Sequence, residues 1–449
     1  MSNTSEEALF TRKQLITLIW PLMLEQLLNV SMGFADTFMV SGVGEAAVSS
    51  VSLVDSINIL IIQVLASLAT GGAVVVSQYL GKKEEKNAQH SATQLYVVLG
   101  GITLMIMGIV LLFSRMILRS IFGKIDSQVM DFANTYFLIS AVSYPFMGFY
   151  NAGAALFRAQ GNSKISMKAS LVMNVVNVTG NAWLIYGVKL GVLGAAIATL
   201  TGRVVAAVWV LVQQQKQRNL LRISDYRNLI PDLKVIRTIL NIGIPAGIEN
   251  GMFHIGKLCV SSLVSTLGTA EIAANAVAGS IATLMGIPGN TMSLASIPVV
   301  GRCLGAGEKA QAKRYGNFIM KIAMIGIAMI NIGFIIFIPI AVGCFHLSDE
   351  ATNSCIRIIF LHNVLSIFFW APSFVLPNIL RSGGDAKFTM CISIVSMWFC
   401  RVALSYYLVS QTQMGLMGVW TGMFIDWSVR SVFFAARYYS GKWMEHKVI

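Results

Sequence analysis

The chain has 449 residues, 55% of them apolar and only 12% charged, with a formal net charge of +13. A soluble domain carries about 25% charged residues, so this chain has too few to cover a soluble surface of its size. Recurring runs of about 20 apolar residues, each long enough to cross a hydrocarbon core about 30 Å thick, predict an all-α polytopic membrane protein and exclude secreted, collagenous, disordered and nucleic-acid-binding classes.

In chain order, apolar runs predict twelve transmembrane helices at 14–40, 47–80, 91–113, 128–156, 166–187, 190–213, 238–265, 271–304, 316–344, 351–380, 388–409 and 414–437. The first run carries Pro21, Glu25 and Asp36, and no small-residue cleavage site follows a short apolar region, so no cleavable signal peptide is expected. The connections at 1–13, 81–90, 157–168, 213–237, 301–314, 381–387 and 437–449 hold most of the 33 basic residues, Arg218 and Arg227 among them. The alternate connections carry only Arg115, Arg119, Lys124 and Lys189. This asymmetry predicts a cytoplasmic (inner) membrane protein with basic loops and both termini in the cytoplasm. It also puts the formal glycosylation sequon Asn3-Thr4-Ser5 on the cytoplasmic side. The six cysteines show neither C-x-x-C nor zinc spacing; Cys344 and Cys355 flank one external loop and could approach each other, but free thiols near helix ends are the favoured expectation.

An internal repeat organises the chain. At a shift of 224 residues Pro21 meets Pro245, Glu25 meets Glu249, Gly44 meets Gly268 and Leu80-Gly81 meets Leu304-Gly305. At 223, Arg158, Gly161 and Lys164 meet Arg381, Gly384 and Lys387, and the 224 shift returns for Gly191 and Gly194 against Gly415 and Gly418. Two six-helix lobes in a parallel repeat are therefore predicted, 1–213 and 238–449, joined by a charged cytoplasmic linker at 214–237. Two such lobes suggest rocking about a central cavity, the architecture of a secondary transporter.

The residues that carry these features also resemble a known family. Pro21, Ala35-Asp36-Thr37-Phe38-Met39-Val40, Gln78-Tyr79-Leu80-Gly81, Leu156-Phe157-Arg158-Ala159-Gln160-Gly161, Asn177 through Gly187, Gly191-Val192-Leu193-Gly194-Ala195-Ala196 and Leu380-Arg381-Ser382-Gly383-Gly384-Asp385 are similar to the multidrug and toxic compound extrusion family across the whole chain. The resemblance implies a 6+6 helical fold and export of amphipathic organic cations against sodium or proton entry, with no cofactor beyond the transported ion. The major facilitator pattern is disfavoured, because the loop after the second helix reads Gly81-Lys82-Lys83-Glu84-Glu85-Lys86. No G-x-x-x-x-G-K-[ST] phosphate cradle is present, nor any nucleophile–base pair, metal spacing or cofactor fingerprint, so neither ATP-driven export nor enzyme chemistry is expected.

Each ionisable residue at membrane depth needs an account, since a charge there costs about 2.5–3.5 kcal/mol. Asp36 lies near the outer end of the first helix, 15 residues beyond Pro21, which can bend that helix. It is read either as a hydrated carboxylate at the lipid boundary or as a group that couples ion occupancy to bending, and the resemblance implies the second. Asn174, Asn177 and Asn181 share one face of the fifth helix, and carboxamide oxygens can ligate sodium. The family pattern places Asp where Asn181 stands, so one carboxylate is missing. Asp36, Asn177 and Asn181 form the candidate sodium ligands, with Thr199 as a weaker member; interhelical packing is the competing reading of the amides.

Glu25 and Glu249 each sit one turn beyond their proline, which suggests a shared structural job such as satisfying backbone donors freed by a bend. Glu249 is also a candidate coupling group, and with His254 and Lys257 it could form a second proton site. Lys257 either pairs with a carboxylate or snorkels. Asp426 and Arg430, four residues apart, are expected to pair within the last helix, with Arg401 as neighbour; Asp55 has no assigned role. Adaptable methionine and cation-attracting aromatic faces make Met32, Met252, Phe253, His254, Lys257, Met285, Phe369 and Trp370 candidates for lining a substrate cavity. The chain is thus expected to be a monomeric, cation-coupled antiporter that binds organic cations, a monovalent cation and lipid, but no nucleic acid. A flippase for lipid-linked precursors is the alternative, and a non-transporting receptor or scaffold a third reading.

Overall fold

The computed structural model describes residues 8–123, 126–216, 219–222, 229–345 and 347–449. Lys124, Arg218, Arg227 and the Asn3-Thr4-Ser5 sequon lie outside the described residues. The described chain divides into two compact units, one of Arg12–Gly247 and one of Ile248–Ile449 together with the residues before Arg12.

Each of the twelve predicted ranges is occupied by helix. The first unit holds α1 (Arg12–Ser41), α2 (Glu45–Gly81), α3 (Glu85–Phe122), α4 (Ser127–Ala159), α5 (Ser163–Asn181) and α6 (Gly191–Gln214). A wider π-helical stretch, Ala182–Gly187, continues α5. Next, α7 (Leu233–Ser265) leads into α8 (Thr269–Met285), α9 (Ile287–Gly305), α10 (Lys309–Ile335), α11 (Ile338–Gly343), α12 (Asp349–Phe374) and α13 (Leu376–Ser382). The chain then runs through α14 (Ala386–Ser396), the π-helical Met397–Ala403, α15 (Leu404–Thr412) and α16 (Gly415–Tyr439). Among the described residues seven of these spans are long and apolar enough to cross a membrane, and the pair α8–α9 makes an eighth. The other four, built on α4, α5, α7 and α16, are diluted by the polar residues that prove chemically informative below.

Several spans predicted as single helices are broken in the second unit. The range 271–304 bends by 45° at Gly286, between α8 and α9. The range 316–344 breaks ahead of Pro339, and 351–380 breaks at Val375, ahead of Pro377. Proline removes a backbone donor and crowds the preceding turn, so each break falls where the sequence places one. The matching α2 lacks proline and runs unbroken.

The repeat extends to the backbone. Left-handed positions recur in pairs at the shifts read from side chains: Gly44 with Gly268, Lys83 with Gly307, Gly161 with Gly384, Lys189 with Gln413 and Gly191 with Gly415. The loops of the two halves therefore share their turn geometry, residue by residue.

In the first unit α4 is central, packing on α2, α3 and α6. Its Phe137, Ala141 and Tyr144 are fully buried with Val54 of α2 and Ala195 and Ala196 of α6. In the second unit α12 takes the comparable place against α8, α10 and α16. The carboxyl terminus folds back there: Trp443 is wholly buried, stacks on Tyr438 and donates its indole N–H to the Tyr438 carbonyl at 3.0 Å. The chain between α6 and α7 leans on α3, where Gln89 donates to the Leu220 carbonyl and Gln94 to the Ile230 carbonyl, both at 2.8 Å. His90 meets the Asp232 carboxylate at 3.0 Å. That hydrogen bond, first among its causes, holds the Asp232 carboxyl below its ordinary value.

Candidate functional site

The site grows out of one seam. On α5, Ser163, Ser166, Ser170, Asn174, Asn177 and Asn181 are all buried on a single face, at offsets of three and four. This face lies along α1 and fastens it rung by rung. Ser166 donates to the Glu25 carboxylate at 2.6 Å, Ser170 to the Asn29 side-chain oxygen at 3.0 Å, and Asn181 to Asp36 Oδ1 at 2.7 Å. Beyond the seam, Tyr186 donates to the Met39 carbonyl at 2.9 Å. A polar stripe of this kind satisfies its members between helices, where lipid offers no partner.

At the Asp36 end of the seam the hydrogen bonds run in a chain. Asn177 donates to Thr199 Oγ1 at 3.1 Å, and Asn181 donates to Asn177 Oδ1 at 3.3 Å as well as to Asp36. Because Asp36 can only accept when ionised, the Asn181 amide must present its nitrogen there, which turns its oxygen the other way. That buried Asn181 Oδ1 has no hydrogen-bond partner among the described residues. Asn177 and Asn181 are each 1% exposed, while Asp36 is half-buried. Asn181 is the last α-helical residue before the π stretch, a wider turn of the sort that re-aims side chains at functional sites.

A second group stands within electrostatic reach of Asp36: Asp55 on α2 and Arg203 on α6. Asp55 Oδ1 accepts from Asn58 at 3.2 Å and from the Tyr136 hydroxyl at 3.3 Å. Tyr144 donates to Asn58 Oδ1 at 2.8 Å, and buried Arg203 donates to Ser143 Oγ at 2.6 Å. Arg203 has no carboxylate within ion-pair distance among the described residues, so Asp36, Asp55 and Arg203 together carry one net negative charge. Arg203, Asn58, Tyr136 and Ser143 are not among the candidates that the sequence alone supplies. Arg203 was visible as a cation in the middle of an apolar run; counting basic residues only in connections hid it.

The family model described as MatE matches residues 21–183 and again residues 245–407, together more than half of the chain. The chain belongs to the MATE family. The two matches are displaced by 224 residues at both ends, the shift at which Pro21 meets Pro245. An uncharacterised transporter, YisQ, of Bacillus subtilis is 27% identical over 440 residues, covering 96% of this chain and 95% of the relative. A probable multidrug resistance protein NorM of Thermotoga maritima is 27% identical over 461 residues, covering 99% and 96%. A solved multidrug resistance MATE transporter in an outward-facing conformation superposes with a TM-score of 0.89 at 21% identity, over 96% of each chain, and so shares the fold. This MATE protein is thus a membrane transporter of the multidrug efflux family, built on the repeated six-helix plan.

The remaining candidates separate in this frame. Glu25 and Glu249 do share a job, but not that of satisfying freed backbone donors. Glu25 pairs with Arg158 at 2.9 Å, and Glu249 pairs with Arg381, the repeat-related arginine. Glu249 further accepts from Ser393 at 2.7 Å and lies 3.7 Å from Arg430. Asp426 and Arg430 lie 3.9 Å apart within α16, and Arg401 lies 3.6 Å from Asp426, as the four-residue spacing suggested. Among the described residues no hydrogen bond or ion pair joins Glu249, His254 and Lys257, because two arginines already engage Glu249. Lys257 pairs with no carboxylate there either.

Of the proposed cavity residues, Trp370 is core. It packs on Phe374 with ring centroids 4.8 Å apart and covers Gly289, where any Cβ would overlap the indole. Met285 is buried, and Met32 packs against the Met147–Tyr150–Phe157 cluster. Phe253 and His254 remain half-buried and pack edge to face, with the Arg401 guanidinium 5.2 Å over the Phe253 ring. Met252 and Phe369 are half-buried. Pro21 lies inside the unbroken α1 and is buried. The cysteines are free, including Cys344 and Cys355.

Proposed function

We propose that this protein is a secondary antiporter of the cytoplasmic (inner) membrane, with both termini in the cytoplasm, that exports amphipathic organic cations in exchange for sodium ions or protons bound at Asp36. The observation that carries the reading is the half-buried Asp36 carboxylate held by the Asn181 amide, at the end of an Asn181–Asn177–Thr199 chain whose Asn181 oxygen has no donor among the described residues. A buried carbonyl oxygen without a donor is costly, and a flip of the Asn181 amide would turn that oxygen onto a cation held by Asp36. Asp36 would supply the charge, Asn181 Oδ1 and the Asn177–Thr199 pair the neutral ligands. With Asp55 and Arg203 counted, the surroundings carry one negative charge, which a single monovalent cation balances.

The coupling follows from mutual exclusion. A cation at Asp36 neutralises the carboxylate and removes its attraction for a cationic cargo, so inward ion binding promotes outward release. Pro21 weakens the hydrogen-bond ladder of α1 between its Glu25 anchor and its inner end, which lets the helix bend as the Asn181–Asp36 rung is made or broken.

Ethidium transport into proteoliposomes, with sodium and pH gradients imposed separately, tests this reading. One of the two gradients alone should drive uptake by wild-type protein, and Asp36→Asn should abolish that uptake while the protein stays folded in the membrane. Equal uptake by Asp36→Asn would remove Asp36 from the mechanism.

A further inference from the structure

We propose that the second unit carries a carboxylate-binding site between Lys257 and Arg401, so that the preferred cargo is zwitterionic: an amphipathic cation that also bears an organic carboxylate. The binding site stands on the geometry of this unit, and its assignment to cargo rests on the exporter reading above.

The charges of this unit form a ladder. Arg381 pairs with Glu249, Glu249 lies 3.7 Å from Arg430, Arg430 3.9 Å from Asp426, and Asp426 3.6 Å from Arg401. All five side chains are no more than 7% exposed. Three guanidiniums face two carboxylates, so the ladder ends on an uncompensated cation. Its hydrogen bonding is loose on both sides: Nε of Arg401, Nε and Nη1 of Arg430, and the carboxylate oxygens Glu249 Oε2 and Asp426 Oδ2 have no hydrogen-bond partner among the described residues. A buried guanidinium left in this state is strongly destabilising unless something negative joins it.

Lys257 compounds the excess. It sits one turn beyond Phe253 on the same face of α7, and Arg401 and Arg430 both lie over the Phe253 ring. Lys257 is exposed and within electrostatic reach of Arg401. Lys257 therefore adds a like charge on the helix face that carries Phe253, and no carboxylate of the described residues forms an ion pair with it. Arg401 is itself carried on the π-helical Met397–Ala403 stretch, whose wider turn displaces its side chain from the α-helical register.

The position within the repeat is telling. At the 224 shift Lys257 corresponds to Gly33, one turn before Asp36, and Arg401 to Asn177. The place that holds an acidic cluster in one half holds a basic pair in the other.

The ligand chemistry follows from what is free to bind. Arg381 and Arg430 are committed to Glu249, leaving one ammonium and one partly shared guanidinium. That pair attracts an anion, and a planar carboxylate suits the guanidinium fork. The half-buried Phe253 and His254 rings offer an apolar wall for the scaffold that bears it.

The test uses purified full-length protein in nanodiscs and two fluorescent probes, tetramethylrhodamine, a zwitterion with a free carboxylate, and its cationic methyl ester. Fluorescence anisotropy gives the affinity of each. Wild type should prefer the acid, Lys257→Gln should lower the acid-to-ester affinity ratio at least fivefold, and Lys257→Arg should keep the ratio within twofold of wild type. A ratio unmoved by Lys257→Gln overturns the proposal. Acetate should compete with the acid and spare the ester, whereas competition by chloride without acetate would assign the positions to an inorganic halide and overturn it too. Loss of gradient-driven transport of the ester in wild type would fault the exporter reading alone, since the binding ratio is measured without a gradient.

Discussion

Replacing Glu249 by alanine separates an ion-coupling role from a structural one. The side chain is 5% exposed and is shared by two guanidiniums, Arg381 and Arg430, themselves 7% and 4% exposed. Removing it leaves Arg381 with no ion-pair partner among the described residues and Arg430 with Asp426 alone. Breaking a buried pair by deleting one partner typically costs about 3–5 kcal/mol, and the doubled orphaning places Glu249→Ala at about the upper end. The repeat-related Glu25→Ala frees only Arg158, which is 15% exposed and can draw on water, so its cost should lie at about the lower end, near 3 kcal/mol. Glu249→Gln retains an acceptor for Ser393 and should fall between the two. Unfolding in mixed SDS–detergent micelles, followed by far-ultraviolet circular dichroism, ranks the three variants. If Glu249→Ala unfolds as late as wild type yet loses gradient-driven uptake, the ion-pair account fails and Glu249 belongs to the coupling machinery.

Asn181→Ala removes both the donor to Asp36 and the bare oxygen, and should weaken cation binding about tenfold, or about 1.4 kcal/mol by calorimetric titration. Gly202→Ala places a methyl 3.0 Å from the Met173 carbonyl and 3.4 Å from Asn177 Cβ, pressing α5 away from α6. It should lower cation affinity through the Asn177–Thr199 contact without altering a ligand, at a stability cost of about 1–3 kcal/mol. Trp443→Ala should cost about 3–5 kcal/mol and expose the carboxyl-terminal segment to limited proteolysis. The depressed Asp232 carboxyl adds stability above its ordinary titration range, and that contribution is lost as pH falls through its lowered folded value. Hydrogen exchange at the Lys234 and Val235 amides, which Asp232 Oδ1 caps, should quicken in acid, and Asp232→Asn should remove most of that pH step.

The fold was legible because apolar length and repeated Pro, Glu, Gly and Arg are local signals that survive without side-chain geometry. The broken spans were less so: a hydropathy run cannot tell Gly286 or Val375 from an ordinary helical residue, although the prolines just beyond them carried the information. At the site, periodicity put Asn174, Asn177 and Asn181 on one face, and the motif singled out Asp36. What periodicity could not supply was pairing between distant helices. Glu249 meets Arg381 only in three dimensions, since more than a hundred residues separate the two along the chain. Arg203 and Asp55 gain meaning only through their nearness to Asp36, which no spacing along the chain encodes.

The paired left-handed turns carry a consequence for how such a molecule diverges. Loop geometry is held in common by the two halves, while the side chains that line their seams are not. A duplicated scaffold can thus change the sign of the charge in one copy without solving its folding again. The chemistry of each seam then becomes separately adjustable, each written on its own half of the gene.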